Sequence, residues 1–141
     1  MGTRSRIGIQ LQDNSVLSVY CHYDGYPEFN GRVLRDNYDT IEKVRNLIDG
    51  GDMSCTWTNA GWNNETLPES GPLHYTMRGE SIEDNAPELS KDHGEYLKMS
   101  ANADEEYSYL FTTDGEWICY NTRSWDDAFM EKQEIPAGPV A

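Results

Sequence analysis

Apolar and polar positions alternate along residues 5–23. Ile7, Ile9 and Leu11 are separated by Gly8 and Gln10, and Leu17, Val19 and Cys21 by Ser18 and Tyr20. A period of two is the signature of a strand with one buried face. The break between the two runs, Asp13-Asn14-Ser15, consists of turn-forming residues and predicts a hairpin with a three-residue loop. That loop sets Gln12 opposite Val16, Leu11 opposite Leu17 and Ile9 opposite Val19. All the apolar side chains then share one face, which a slip of one residue would destroy. A second hairpin is predicted where Tyr107–Thr113 and Glu116–Asn121 flank Asp114-Gly115, a favoured type I′ turn. Its expected register sets Thr113 opposite Glu116, Phe111 opposite Ile118 and Tyr109 opposite Tyr120.

Between the hairpins the period changes. Tyr23-Asp24-Gly25-Tyr26-Pro27-Glu28 reads as a turn leaving the sheet. Residues 31–38 predict a short helix presenting Val33, Leu34 and Tyr38. A clearer helix runs from about 40 to 48: Asp39 and Glu42 have capping-box spacing, Ile41, Val44, Leu47 and Ile48 form a stripe, and Gly50-Gly51 ends it. Residues 59–70 and 79–94 read as loops, with Pro72–Met77 a strand between them and Trp57 and Trp62 as aromatic anchors. The expected architecture is α+β. A small antiparallel sheet from the two β-hairpins (about 5–23 and 107–121) packs against one main helix (about 40–48), with long loops. The expected organisation is a single domain over 1–134 and a flexible C-terminal tail over 135–141, where Ile135-Pro136-Ala137-Gly138-Pro139 begins.

Composition narrows the functional classes. The 141 residues are 37% hydrophobic and 26% charged, which is enough apolar content for one folded domain. Mean hydropathy is −0.77, and no apolar run approaches the roughly 20 residues of a spanning helix, so no membrane partner is expected. Residues 1–6 lead into strand-like sequence without the apolar region of a signal peptide. Three widely separated cysteines, Cys21, Cys55 and Cys119, fit neither a disulfide framework nor a zinc site and point to a reducing cytoplasm. Net charge is −14, and most of it lies in residues 79–141, where 15 acidic residues face 4 basic ones. Such a chain repels phosphate backbones, so direct nucleic-acid binding is excluded as an expectation.

The first hairpin generates the one candidate site. Its expected register places Arg6 opposite His22, Arg4 opposite Asp24 and Tyr20 opposite Gly8, on the face away from the helix. Arg4, Arg6, Tyr20, His22, Asp24 and Tyr26 are therefore the candidate ligand-binding residues. The arginines would hold an anion, His22 would donate a hydrogen bond, and Tyr26 would cover the site from the turn. The plain alternative is an Arg4–Asp24 surface ion pair. Catalytic residues, metal ligands and cofactors are not expected. Cys21 and His22 are adjacent in a strand and point to opposite faces, while His74 and His93 are isolated. Neither a phosphate-cradling Gly-rich loop nor a Gly-x-Ser-x-Gly elbow is present. Asp104-Glu105-Glu106 reads as a solvated flank before a strand, and the aromatic stripe Tyr107, Tyr109, Phe111, Tyr120 as core against the helix.

Met1-Gly2-Thr3-Arg4-Ser5-Arg6-Ile7-Gly8 and Tyr20-Cys21-His22-Tyr23-Asp24-Gly25-Tyr26-Pro27 resemble a family of small proteins encoded by tailed bacteriophages. Gly31, Leu34, Tyr38, Val44, Leu47-Ile48, Gly51-Asp52 and Ser54 extend the resemblance, as do Glu106-Tyr107-x-Tyr109 and Asp114-Gly115-x-Trp117. It covers residues 1–55 and about 105–118. The family carries no established activity, so the resemblance implies a source and not a mechanism: a phage accessory protein in the host cytoplasm. Two expectations follow. One is a non-enzymatic protein binding a host factor or a small anionic ligand, for host takeover or counter-defence. The other is an acidic nucleic-acid mimic that blocks a host DNA- or RNA-binding protein through residues 80–116.

Overall fold

The computed structural model describes residues 3–58, 71–122 and 131–137. The first hairpin consists of β1 (Ser5–Gln10) and β2 (Val16–Cys21). Its loop is Gln12-Asp13-Asn14, closed by Leu11 N donating to Ser15 O at 2.8 Å and Asn14 N to Leu11 O at 2.9 Å. Asn14 takes the left-handed conformation (φ 70°), which asparagine tolerates better than most residues. The loop sits one residue earlier than the sequence pattern implies, which shifts the register by two. Ile9 pairs with Leu17, Ile7 with Val19 and Arg6 with Tyr20. An even shift preserves the faces, so the apolar set stays together.

The 107–121 hairpin uses the same kind of loop. Strands β6 (Tyr107–Phe111) and β7 (Trp117–Asn121) are joined through Thr113-Asp114-Gly115. Thr112 N donates to Glu116 O at 2.9 Å, Gly115 N donates to Thr112 O at 2.9 Å, and Gly115 takes φ 82°. The expected two-residue type I′ turn is thus a three-residue loop with a left-handed third residue. Here the shift is one residue, and it changes faces. Phe111 pairs with Trp117, Tyr109 with Cys119 and Ser108 with Tyr120. Tyr107, Tyr109 and Phe111 keep the expected core face; Tyr120 belongs to the opposite one.

The sheet is larger than two hairpins, and it is mixed. Strands β3 (Met53–Thr58), β4 (Gly71–His74), β5 (Glu88–Ser90) and β8 (Lys132–Gln133) complete the order β4-β3-β2-β1-β6-β7-β8, with β5 paired to β2 off this path. β1 runs parallel to β6, and β2 parallel to β3. The expectation of a small antiparallel sheet is corrected accordingly. The expected 72–77 strand ends at His74, where Tyr75–Arg78 make a 3₁₀ turn. The loop expected over 59–70, with Trp62, lies outside the described residues.

Both faces of the sheet are covered, where one was expected to be. On one face lie α1 (Arg32–Asn37), entered through a π-type turn at Pro27–Gly31, and α2 (Ile41–Asp49). They bury Val33, Leu34, Val44, Leu47 and Ile48 against Ile7, Ile9, Val19, Met53, Tyr109 and Phe111. The N-cap of α2 is Thr40, whose hydroxyl accepts from Lys43 N at 3.3 Å, and not the Asp39–Glu42 box. On the other face lies α3 (His93–Asn102), capped by Asp92, which packs Tyr96 and Leu97 onto Val16, Leu110 and Tyr120. Gly8 makes room for the Tyr96 ring: a Cβ there would come within 3.1 Å of the ring and 2.7 Å of Val16. The Tyr96 hydroxyl then reaches across to donate to Tyr109 O at 2.7 Å.

Residues 135–137, the start of the expected tail, lie against α1. Ile135 packs on the core beside Gly31, and the Pro136 and Ala137 carbonyls accept from Arg35 (2.8 Å) and Arg32 (3.1 Å). None of the three cysteines is in a disulfide, and all three are buried.

Because each face carries its own core, truncations on either side should be costly. Phe111→Ala and Leu110→Ala, adjacent in β6 but pointing opposite ways, are each expected to lose about 2–5 kcal/mol in urea denaturation. Wild-type stability of Leu110→Ala would show that the α3 face is not packed.

Candidate functional site

β2 carries two partners on its outer edge. β5 pairs with its first half (Val16, Leu17 and Ser18 opposite Ser90, Leu89 and Glu88), and β3 joins at Cys21 opposite Met53. The sheet forks between them. At the fork the Tyr20 amide has no strand to bond, and the Asp52 carboxylate accepts from it at 2.9 Å. Asp52 is half-buried, and desolvation raises its carboxyl above the ordinary aspartate value despite that hydrogen bond and the nearby Arg6 charge.

Arg6 lies behind this fork, and only 7% of it is exposed. Its Nε donates to both carboxylate oxygens of Glu105, at 2.9 and 3.0 Å, and its Nη1 to Ser18 Oγ at 3.1 Å; Glu88 stands at 3.8 Å. Glu105 is 1% exposed. Desolvation raises the Glu105 carboxyl above its ordinary value while the Arg6 charge pulls it back. Burial works against the Arg6 cation, yet Glu105 holds its pKa above the usual arginine value. The expectation that Arg6 lies on an open face is corrected: α3 and the turn after it cover that face, and Glu105 and Ser18 take its Nε and Nη1. The reading of Asp104-Glu105-Glu106 as a solvated flank is corrected with it, since its middle residue is a buried counterion.

The remaining candidates lie on the rim. Arg4 is exposed, two positions before Arg6 and on the same side of the strand. The register sets Arg6, and not Gly8, opposite Tyr20, and it does not join Arg6 to His22. Tyr20 and His22 meet each other: the tyrosine hydroxyl lies 2.6 Å from His22 Nδ1. Burial raises the Tyr20 phenol above its ordinary value, and the Arg4 charge works the other way. His22 packs edge-on against Tyr23, with ring centroids 4.4 Å apart. Tyr26 donates to Asp24 Oδ1 at 3.4 Å, and Asp24 is held in the left-handed region at φ 58°. Tyr23 and Tyr26 are 43% and 37% exposed. The sequence reading missed Tyr23, although it stands inside the same Tyr-Cys-His-Tyr-Asp-Gly-Tyr run. It also missed Asp52, whose place at the fork depends on a strand pairing that no local pattern announces.

No family model, curated protein or solved structure matches this chain.

Cys21 is buried in the apolar core beneath His22, and burial pushes the Cys21 and Cys119 thiols up to about 12, far from thiolate reactivity at neutral pH. Among the described residues no three His, Cys, Asp or Glu side chains are grouped to hold a metal ion. Nor is any helix among them long and apolar enough to cross a membrane.

Removing Arg6 should leave Glu105 buried without its partner. Arg6→Ala is expected to cost about 3–5 kcal/mol in urea denaturation. The deficit should shrink toward acid. The orphaned carboxyl has a folded pKa raised above its unfolded one, so its contribution is fully present below the unfolded pKa and is lost as pH rises through the folded one. The difference from wild type should therefore be smaller at pH about 4 than at pH about 7. Arg6→Met combined with Glu105→Leu should recover much of the loss, because it removes both charges. Full stability of Arg6→Ala at pH about 7 would show that the pair is not structural.

Proposed function

We propose that this protein is a non-enzymatic binding protein that engages a partner protein through the rim formed by Arg4, Tyr20, His22, Tyr23, Asp24 and Tyr26. The observation that carries the reading is the exposure of Tyr23 and Tyr26 on a turn whose neighbours fix them in place. Tyrosine and arginine dominate binding hot spots because they bury much surface at small entropic cost while keeping a polar tip for hydrogen bonding. A small-anion site is the weaker form of this proposal, because Arg6 is committed to Glu105 and Arg4 stands as the rim's own cation. The resemblance to small phage-encoded proteins supports a host factor in the bacterial cytoplasm as the partner. The acidic-mimic reading is supported by the exposed carboxylates of Glu80, Glu83, Asp84, Glu88 and Glu95.

Tyr23→Ala and Tyr26→Ala should leave the melting temperature within about 2 °C, since both rings are exposed, and together should abolish capture of a host protein retained by the wild type. Nucleotides and inorganic phosphate should leave the melting temperature unchanged at pH about 6 and about 8; a shift abolished by Arg4→Ala would revive the anion reading. Should the partner stay bound to Tyr23→Ala/Tyr26→Ala but be released by duplex DNA, the acidic mimic becomes the better account.

A further inference from the structure

At the far end of the sheet from the rim, the described residues cover only half of β7. β8 pairs with it at Cys119–Gln133 and Tyr120–Lys132 and then leaves the ladder, because Ile135 turns onto the core beside Gly31 and Arg35 holds Pro136 O. The hydrogen-bonding direction of β7 follows from its neighbours. Thr112 N donates to Glu116 O and Thr122 N to Glu106 O, so the even residues of β7 face β6; Asn121 N donates to Glu131 O, so the odd residues face outward. The amide and carbonyl of Trp117 therefore point outward, past the end of β8. They open into a cleft of about 700 Å³ between β7 and residues 132–135, with Arg35 on its wall.

We propose that this cleft takes an extended peptide segment of a partner protein, which adds a strand to β7 at Trp117. Both its pattern and its charge can be read from the wall. A peptide residue opposite Trp117 shares that residue's face, where Trp117 and Ile135 pack against the core, so it should be apolar. Its two neighbours point to the other face. Glu116 and Glu134 stand there exposed beside one exposed cation, Lys132, so that face of the wall is net acidic, and among the described residues none of the three is in an ion pair. Arg35, by contrast, is held by Asp36 and Pro136 O, and Asp39 by Lys43. The segment that fits is basic–apolar–basic in extended conformation. The site is separate from the tyrosine rim and does not depend on it.

Short peptides alternating Val and Lys, the same peptides alternating Val and Glu, and the Val/Lys peptides N-methylated at alternate amides would be titrated into the full chain and followed by amide chemical shifts. The Val/Lys peptide is expected to move the Trp117 and Cys119 amides. The acidic peptide should bind at least about tenfold more weakly, and N-methylation on the pairing edge should abolish binding. Glu116→Lys with Glu134→Lys, two exposed sites that leave the fold intact, should weaken the Val/Lys peptide about tenfold. Equal binding of both charge types, shifts confined to Tyr23 and Tyr26, or no shift at Trp117 up to millimolar peptide would overturn the proposal. So would light scattering showing a dimer whose dissociation moves the Trp117 amide, since a second copy would then be the occupant. A chain ending at Ala137 whose Trp117 amide shifts without peptide would assign the cleft to the protein's own last residues.

Discussion

The structure turns on a buried ion pair between residues 99 positions apart, Arg6 in β1 and Glu105 just before β6. Two charges taken out of water cost several kcal/mol each, and their attraction repays this only when the remaining donors and acceptors are filled. Here they are. Ser18 takes a second nitrogen of the guanidinium, and both Glu105 oxygens accept from Arg6 Nε. The Glu105 backbone is held as well: its amide donates to Ser100 O, and its carbonyl accepts from Thr122 Oγ1 at 2.7 Å. No buried side-chain polar atom among the described residues is left without a partner. The pair sets the register of the central parallel strands, β1 on β6, because a displacement by one residue would leave both charges buried and unpaired. Burial of both faces already fixes which side chains of β1 and β6 point to each core. The ion pair makes the wrong alignments expensive.

That commitment decides where recognition can occur. A guanidinium that is only 7% exposed presents little surface to a ligand, so the polar face of the first hairpin is interior from Arg6 inward and exposed only beyond it. The boundary is the fork on β2, where Asp52 substitutes for the missing strand and the chain turns out through His22 to Tyr26. Tyr20 belongs to both sides: its amide is part of the fork, and its hydroxyl, on His22, is part of the rim. The side chains in the same alternating row, Arg4 and Arg6, differ in role because α3 and the turn after it end between them.

What the sequence revealed, and what it hid, follows from the range of the interactions. Period two in Ile7–Leu11 and Leu17–Cys21 gave the buried face correctly even though the register was two residues off, since parity survives an even shift. The same error of loop choice at Thr113-Asp114-Gly115 was one residue, and it misassigned Tyr120. Both loops turned on which residue takes the left-handed conformation, Asn14 or Gly115, and in the second a local reading cannot separate a two-residue from a three-residue loop around the same glycine. α2 was legible from its stripe. α3 was not, because Tyr96, Leu97 and Ser100 make a short buried face that only the second core explains. Glu105 looked like its neighbours Asp104 and Glu106 and was set apart only by an arginine at the other end of the chain.

The acidity of the chain acquires meaning once the interior acids are set aside. Glu105 is buried and Asp52 is half-buried at the fork, and both are occupied by internal hydrogen bonds. The exposed carboxylates are spread over 80–95, the 114–116 turn and residues 131–134, and also include Asp13, Glu28, Asp36, Asp39, Glu42, Asp49 and Asp104, so they surround the exposed apolar side chains, Tyr23 and Tyr26 as well as Ile41, Met77, Ile82 and Leu89. A net charge of −14 produces a field that disfavours acidic partners and nucleic acid at long range and speeds encounter with basic ones. Affinity comes from elsewhere, from desolvated aromatic anchors and outward-facing backbone groups. The tyrosine rim and the open edge of β7 are where this structure supplies them. On the proposed reading the charge would select which partners arrive, and the rim and the β7 edge would decide which of them stay.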